Sequence, residues 1–436
     1  MVSVQSKASL LYRGEALAPM VRASTIPLRT LALKYGADFV YTEELVDHSL
    51  IECQRVVNEQ LGTIDFVKDT SRMSAKQQRK LGGRPALILR IDPQQEQQRL
   101  VCQLGTGEPQ SAVEAALRVH RDVQSIDVNM GCPKNFSVSG GMGSALLEDP
   151  ERASRIIRSL CDAVSSSNSS NPIPVSAKIR LLKDTTSTLE FASTLIDAGA
   201  NAIAIHGRRP GDRDIEAADW KTLEEVVSLL TKKFPHIPFL INGDFYTRDE
   251  FAEFRRKTGA AGVLLARPAL YNTSIFRKPA NNNITGPFGY DSSLLLDRTA
   301  VIQDYLREAL RYEAYHKNVK YVVCEMMGVR RTPTERARFL RQKFPGRQSI
   351  QAVCRCSTLT EICAIWNVET TTTAQQPAVL QDDAALPGEH TYLDSYNLRN
   401  GMAENSILPQ KHAAASDGLE TEERKKIRLQ EAQCND

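Results

Sequence analysis

A single thiol, Cys132, stands between Gly131 and Pro133 directly after the apolar run Ile126–Met130. Most unpaired cysteines are small buried fillers. Here the flanking glycine and proline keep the residue out of regular structure, on the loop just past the C-terminal end of a buried strand. In a β/α barrel that end is where catalytic groups collect, which favours a reactive role for the thiol. The segment Gly140-Gly141-Met142-Gly143 follows, flexible enough to fold closely over a ligand.

The placement recurs along the chain. Strand-like runs end in Gln103, Asn129, Lys178 with Arg180, His206, Asn242 and Ala266-Arg267. Each residue has a bland alternative: Lys178 as a snorkelling side chain, His206 as a satisfied core histidine, Gln103 as a loop-facing amide. Six strands carrying polar groups to one rim by chance would oppose the burial that a barrel imposes. A flat aromatic cofactor with a phosphate tail accounts for the set. Gly243 and the Gly262…Ala266-Arg267 segment offer close backbone approach, donors and a cation for the phosphate. Lys178 and His206 can donate to the electron-rich edge of a flavin ring. Pro19-Met20-Val21 can lie against its face.

Eight apolar runs must position these groups: Ala16–Arg22, Ala37–Tyr41, Arg99–Leu104, Ile126–Met130, Val175–Leu181, Ala202–His206, Phe239–Asn242 and Gly262–Ala266. Helical spacing between them (Ile26–Tyr35, Ser111–Arg121, Thr188–Ala198, Leu223–Lys232) predicts a parallel sheet closed into a (β/α)8 TIM barrel. The second run closes on the acidic pair Glu43-Glu44. Pro85–Ile91 and Arg99–Leu104, separated by a polar loop, have the spacing of a hairpin whose second arm enters the barrel. Ser165–Pro174 is a polar surface loop. The barrel is expected to occupy residues 1–276 and a linker 277–292. A small all-helical domain spans 293–368, with helices over Leu294–Tyr315, Tyr321–Met327, Arg336–Lys343 and Ile350–Trp366. From 369 to 436 the composition predicts an acidic, disordered tail, in which Glu420–Gln433 is at most a charged helix.

The chain of 436 residues is long enough for that arrangement, since a barrel takes roughly 250. It has no run of about 18 uncharged apolar residues, so no membrane span is expected, and Met1–Arg13 lacks a targeting pattern. A cytoplasmic location follows, with a nuclear pool as a variant of it. Nine irregularly spaced cysteines fit reduced thiols. The cluster Cys354, Cys356 and Cys363 lacks a fourth ligand and places Cys356 and Cys363 on one helix face, so no metal is expected. The net charge of +3 conceals an asymmetry: from Glu369 onward 6 basic residues meet 12 acidic ones, leaving 49 against 40 before it. A basic body suits a polyanionic partner. Arg330, Arg331, Arg336, Arg338, Arg341, Lys343, Arg347 and Arg355 face a single acid, Glu335. Arg338 and Arg341 lie close to one helical stripe with Arg331 and can grip phosphates.

Ordered motifs over residues 15 to 368 resemble the flavin-dependent tRNA-dihydrouridine synthases. They are Leu-Ala-Pro-Met-Val-Arg22, Tyr-Thr-Glu-Glu-Leu45, Cys-Gln-Leu-Gly105, Asp-Val-Asn-Met-Gly-Cys-Pro-Lys134, Ala-Lys-Ile-Arg180, Ile-His-Gly-Arg208, Ile-Asn-Gly-Asp244 and Leu-Leu-Ala-Arg267. Tyr-Thr-Glu-Glu-Leu-Val-Asp47, the expected hairpin before Gln103 and the segment Ala266–Phe276 resemble the eukaryotic cytoplasmic branch, which modifies uridine 20 of the D-loop. The resemblance implies FMN held by Pro19, Met20, Val21, Gln103, Lys178, His206, Asn242, Gly243, Asp244, Ala266 and Arg267. It implies NADPH as electron donor, with NADH as the alternative, and Cys132 as proton donor to C5 while hydride reaches C6. Asn129, Lys134, Arg180 and Arg208 are candidates for the uracil and its phosphate. Animal members of the branch carry a double-stranded-RNA-binding domain after the helical one. No such pattern is visible in this tail, so tRNA affinity is expected to come from elsewhere, and the chain is expected to act as a monomer. Two other readings compete: an FMN barrel of the dihydroorotate dehydrogenase kind, and a tRNA-binding protein without catalysis. The first would not need the basic helical domain. Against the second, Cys132, Lys178 and His206 are all in place.

Overall fold

The computed structural model describes residues 3–71, 73–75, 78, 86–165, 172–212, 216–278, 295–328 and 348–370. Arg338, Arg341, the helix expected over Arg336–Lys343, the Glu420–Gln433 segment and most of the Ser165–Pro174 loop lie outside the described residues.

Eleven strands are described: β1 Gly14–Leu17, β2 Phe39–Val46, β3 Cys53–Asn58, β4 Thr63–Lys68, β5 Ala86–Ile91, β6 Leu100–Gly105, β7 Ser125–Met130, β8 Val175–Arg180, β9 Ala202–His206, β10 Phe239–Asn242 and β11 Gly262–Leu265. Eight of them close a barrel in the order β1-β11-β10-β9-β8-β7-β6-β2, each neighbour parallel, with β1 pairing to both β11 and β2. The (β/α)8 expectation therefore stands. Side chains alternate across a strand, and the two faces of this sheet part accordingly. Ile126, Val128 and Met130 of β7 join Ala112, Ala115, Ala116 and Val119 of the helix Pro109–Val119 in the outer core. Ala16, Phe39, Tyr41, Val101, Ala202, Ala204, Leu240 and Leu264 form a separate inner cluster.

The floor of that inner cluster comes from a helix that the sequence pattern does not announce, Val4–Leu11, capped by the Ser3 side chain accepting from the Ser6 amide. It delivers Tyr12 into the barrel. The Tyr12 ring stands edge-on to Phe39 at 5.6 Å, and its hydroxyl lies 2.6 Å from Ser125 Oγ and 2.8 Å from Ser176 Oγ.

Three expectations need correction. The second barrel strand runs to Val46, so Glu43 and Glu44 lie within it, and the register slips between Tyr41 and Glu44. Ala86–Ile91 and Leu100–Gly105 are not a hairpin. β5 pairs antiparallel with β4, which pairs with β3, in a separate three-stranded sheet. The polar turn between β5 and β6 is held by Asp92 Oδ1, which accepts from the amides of Gln94 and Gln95, both at 2.9 Å. Finally, Ile350–Trp366 is two helices, Ile350–Arg355 and Leu359–Ile365. Thr358 caps the second through a reciprocal pair with Glu361, so Cys356 and Cys363 do not share a helix. Among the described residues no group of three or more His, Cys, Asp or Glu could hold a metal ion, and no helix is long and apolar enough to cross a membrane.

The helices Arg298–Arg311 and His316–Met327 follow the barrel and pack against it. Tyr312 donates to Asp92 Oδ2 at 2.7 Å, and Tyr35 to Asp304 Oδ2 at 2.7 Å. Beneath this junction Arg29, 1% exposed, donates from Nε to Glu96 Oε1 at 2.6 Å and from Nη2 to the Arg90 carbonyl at 2.7 Å. Removing one member of an enclosed ion pair leaves the other without compensation. Arg29→Met should therefore lower stability by about 3–5 kcal/mol, and Arg29→Met with Glu96→Gln should recover part of it. Urea denaturation measures both. A loss below about 1 kcal/mol for the single variant would show that Glu96 is not dependent on Arg29.

Candidate active site

Polar groups cluster at the C-terminal rim because the inward phase of the strands reaches it in register. Asn129 on β7 lies beside Lys178 on β8, Arg180 beside His206 on β9, and His206 beside Asn242 on β10. The Cys132 loop hangs from this rim by its backbone. Asn129 Oδ1 accepts from the amides of Gly131 at 2.9 Å and Cys132 at 3.0 Å. Arg180 donates from Nε to the Gly131 carbonyl at 2.7 Å and from Nη1 to the Arg209 carbonyl at 3.0 Å. Arg180 is 9% exposed, so it clamps the loop rather than standing in the opening. The glycine-rich segment folds back over the same loop, with the Ser144 amide donating to the Cys132 carbonyl at 2.9 Å. Gly143, at φ +59°, permits that approach, since a Cβ there would collide with Ser137 Oγ and the Cys132 carbonyl oxygen.

The thiol's surroundings are acidic and enclosed. Burial, then the charge of Glu44, push Cys132 up to about 12. Burial pushes Glu44 up to about 7, against the opposing pull of Cys132, Lys178 and Ser137. Glu44 is 4% exposed, and neither its Oε1 nor Ser137 Oγ has a hydrogen-bond partner of ordinary geometry. On the neighbouring strands the balance is cationic. Lys178 is brought down to about 8 by burial and then by Arg180. His206 is driven well below its ordinary value by burial and by Lys178, Arg180, Arg208 and Arg267 together, so its imidazole is neutral.

Asp244, at φ +45°, is pinched between Arg208 Nη2 and Arg267 Nη2, both at 2.6 Å. Arg208 is 3% exposed and also donates to the Glu216 carbonyl, so it braces the site from within. Asn242 donates to the Leu264 carbonyl at 2.8 Å, and Gly243 sits at φ +134°, where a Cβ would come within 3.0 Å of Ala218 Cβ. Ala266 precedes the short helix Arg267–Tyr271. Pro19, Met20 and Val21 follow β1, where the Met20 amide donates to Ser24 Oγ and Val21 packs on Val46 and Met142. Lys134 is exposed at the start of the helix Asn135–Ser139. Gln103 is 1% exposed and bonded on both sides, to Asp127 and Asn129. Sequence reasoning misses Asp127, Ser137, Ser176 and Tyr12 as site residues, and it finds Glu44 only as half of an acidic pair. For Asp127 a signal exists: a carboxylate at an inward position of an otherwise apolar run.

The thiol's raised value has a direct readout. With Cys132 still mostly protonated below about 12, its alkylation by iodoacetamide should climb about tenfold per pH unit from about pH 7 to 10 without levelling. An unperturbed thiol would level near 8.5. Glu44→Gln removes a charge that disfavours the thiolate, so the variant should react faster at about pH 9. Peptide mass spectrometry of the Cys132 peptide checks both. A plateau near 8.5, or an unchanged rate in the variant, would contradict the enclosed, acid-flanked thiol.

The dihydrouridine synthase (Dus) family model matches residues 16–363. The tRNA-dihydrouridine(20) synthase [NAD(P)+] of Schizosaccharomyces pombe is 37% identical over 314 residues, which cover 71% of this chain and 59% of that protein. The enzyme of the same name from Saccharomyces cerevisiae is 30% identical over 321 residues, 72% of this chain and 78% of its own. Among solved structures, the crystal structure of DHODH in complex with ferulenol from Eimeria tenella overlays with a TM-score of 0.40 at 12% identity, covering 61% of this chain and 78% of that one. A barrel with this ordered set of rim residues, matched along 16–363, belongs to the dihydrouridine synthase family.

Proposed function

We propose that this chain reduces the C5–C6 double bond of a D-loop uridine in tRNA, U20, to dihydrouridine, with FMN as cofactor and NADPH as electron donor. The observation that supports this reading best is the thiol of Cys132, kept protonated on the rim between an acidic pocket and the Lys178–His206 pair. A general acid needs its proton in place before the reaction, and an enclosed thiol beside a carboxyl group retains it.

The donor set suits an electron-rich ring with a phosphate. Lys178 makes no hydrogen bond or ion pair among the described residues, and burial, then Arg180, bring it down to about 8 although Asp127, Cys132 and Glu44 oppose the shift. An anionic group at that place would relieve it. FMN, when bound, supplies hydride transfer from NADPH to C6 of the uracil. Lys178 and His206 would hold its ring, Gly243, Asp244, Ala266 and Arg267 its phosphate, and Pro19, Met20 and Val21 its face. Asn129 and Lys134 orient the base and its phosphate. Cys132 gives its proton to C5, and the resulting thiolate recovers one from solvent. The target base must leave its stack to reach a barrel mouth. The helices after the barrel, with the basic 330–347 segment, serve tRNA binding.

Two measurements test this. Cys132→Ala should retain fold and released FMN yet lose about 10²–10⁴-fold in single-turnover dihydrouridine formation; unchanged turnover would remove Cys132 as the acid, and a preparation with no releasable flavin would remove the reading as a whole. Arg338→Glu with Arg341→Glu should weaken tRNA binding and lower its salt slope by about one for each phosphate no longer neutralised, with flavin content unchanged. Unaltered binding and slope would place the RNA on another face.

A further inference from the structure

The geometry points to Asp127 as the positioning residue of the Cys132 loop, acting through a two-amide relay, Gln103 and Asn129, that fixes which end of each amide faces which partner. Asp127 Oδ2 accepts from Gln103 Nε2 at 2.8 Å. Gln103 Oε1 accepts from Asn129 Nδ2 at 3.1 Å. Asn129 Oδ1 accepts from the amides of Gly131 and Cys132. An ionised carboxylate can only accept, and backbone amides can only donate. Two amides in series between them satisfy every group in one sense alone. Both ends of the relay demand that same sense, which leaves no alternative arrangement of Gln103 and Asn129 free of a clash of like partners.

Asp127 is built for this. It is fully enclosed, its other oxygen accepts from Ser176 Oγ at 2.6 Å, and Ser176 in turn neighbours Tyr12 on the barrel floor. Burial raises its carboxyl to about 6, opposed by the Ser176 and Gln103 hydrogen bonds and by Lys178, so it is ionised near neutral pH. The relay thus runs up the barrel interior from floor to rim and terminates on the backbone of the reactive residue. Its catalytic meaning rests on the role proposed for Cys132; the relay itself does not.

The full chain as purified, treated with iodoacetamide alone, separates the two questions, because neither tRNA nor NADPH is present. Asp127→Ala removes the acceptor, leaves Gln103 free to turn, and should speed Cys132 alkylation about tenfold or more as the loop loses its hydrogen bonds. Asp127→Asn should restore the parent rate, since its Oδ1 can accept from Gln103 while its Nδ2 donates to the Ser176 hydroxyl. Cys161, half-buried on the outer helix Pro150–Ser165, is the control on the same samples and should not change. A general loosening would move both thiols and overturn the assignment, as would a folded Asp127→Ala with the parent rate at Cys132 or an Asp127→Asn as fast as Asp127→Ala. If Asp127→Ala does not fold, Gln103→Met decides: faster Cys132 alkylation supports the relay, the parent rate rejects it. Turnover of Cys132→Ala on tRNA independently measures whether the loop so positioned performs the proposed protonation.

Discussion

The backbone clamp on Gly131 and Cys132 is the interaction on which the rim depends. Two amides are held by Asn129 and one carbonyl by Arg180, so the peptide units around the thiol are fixed from both adjoining strands. A loop after a barrel strand ordinarily has water for its backbone polar groups. Here side chains replace that water, and the loop inherits the rigidity of β7 and β8. Every charged group nearby then sits at a settled distance from the thiol, which is why burial and Glu44 can act on it consistently.

That rigidity also explains how opposite electrostatic demands coexist within one opening. The thiol's side is acidic and largely buried, which favours the protonated form. The β8–β11 side gathers Lys178, Arg180, Arg208 and Arg267, with Asp244 bound between two of them. A neutral His206 stands among these cations because a further charge there would be repelled and desolvated at once. The two halves meet at Lys178, whose pull on Glu44 and Asp127 is smaller than the upward push of their burial.

Much of this is legible in the chain. Strands β7 to β11 are enclosed on both faces of the barrel wall, and their apolar runs are bounded by turns and end in polar residues. Burial on both faces writes a dense apolar signal. Strand β3 leaves no such trace because Gln54, Arg55, Val56 and Val57 are exposed, and an edge strand with open faces need not be apolar. The hairpin expectation fails for a related reason: a polar turn between two apolar runs looks alike whether the runs pair with each other or belong to different sheets. Within the site, spacing exposes Cys132, Lys178 and His206. It cannot reveal that Arg180 and Arg208 are turned onto backbone carbonyls, since direction is decided by the packing of neighbouring strands.

The barrel floor has a consequence for how the molecule comes into being. Tyr12 lies ahead of β1, yet its hydroxyl partners are 113 and 164 residues further along. Phe39 can meet its ring earlier, but the two serine contacts wait for β7 and β8, and closing so long a loop costs entropy before those contacts repay it. Without Val4–Tyr12 in place the barrel would be open underneath, and Asp127, fully enclosed in the folded chain, would face solvent. Docking of Val4–Tyr12 therefore completes the enclosure of a carboxylate that strands much later in the chain carry.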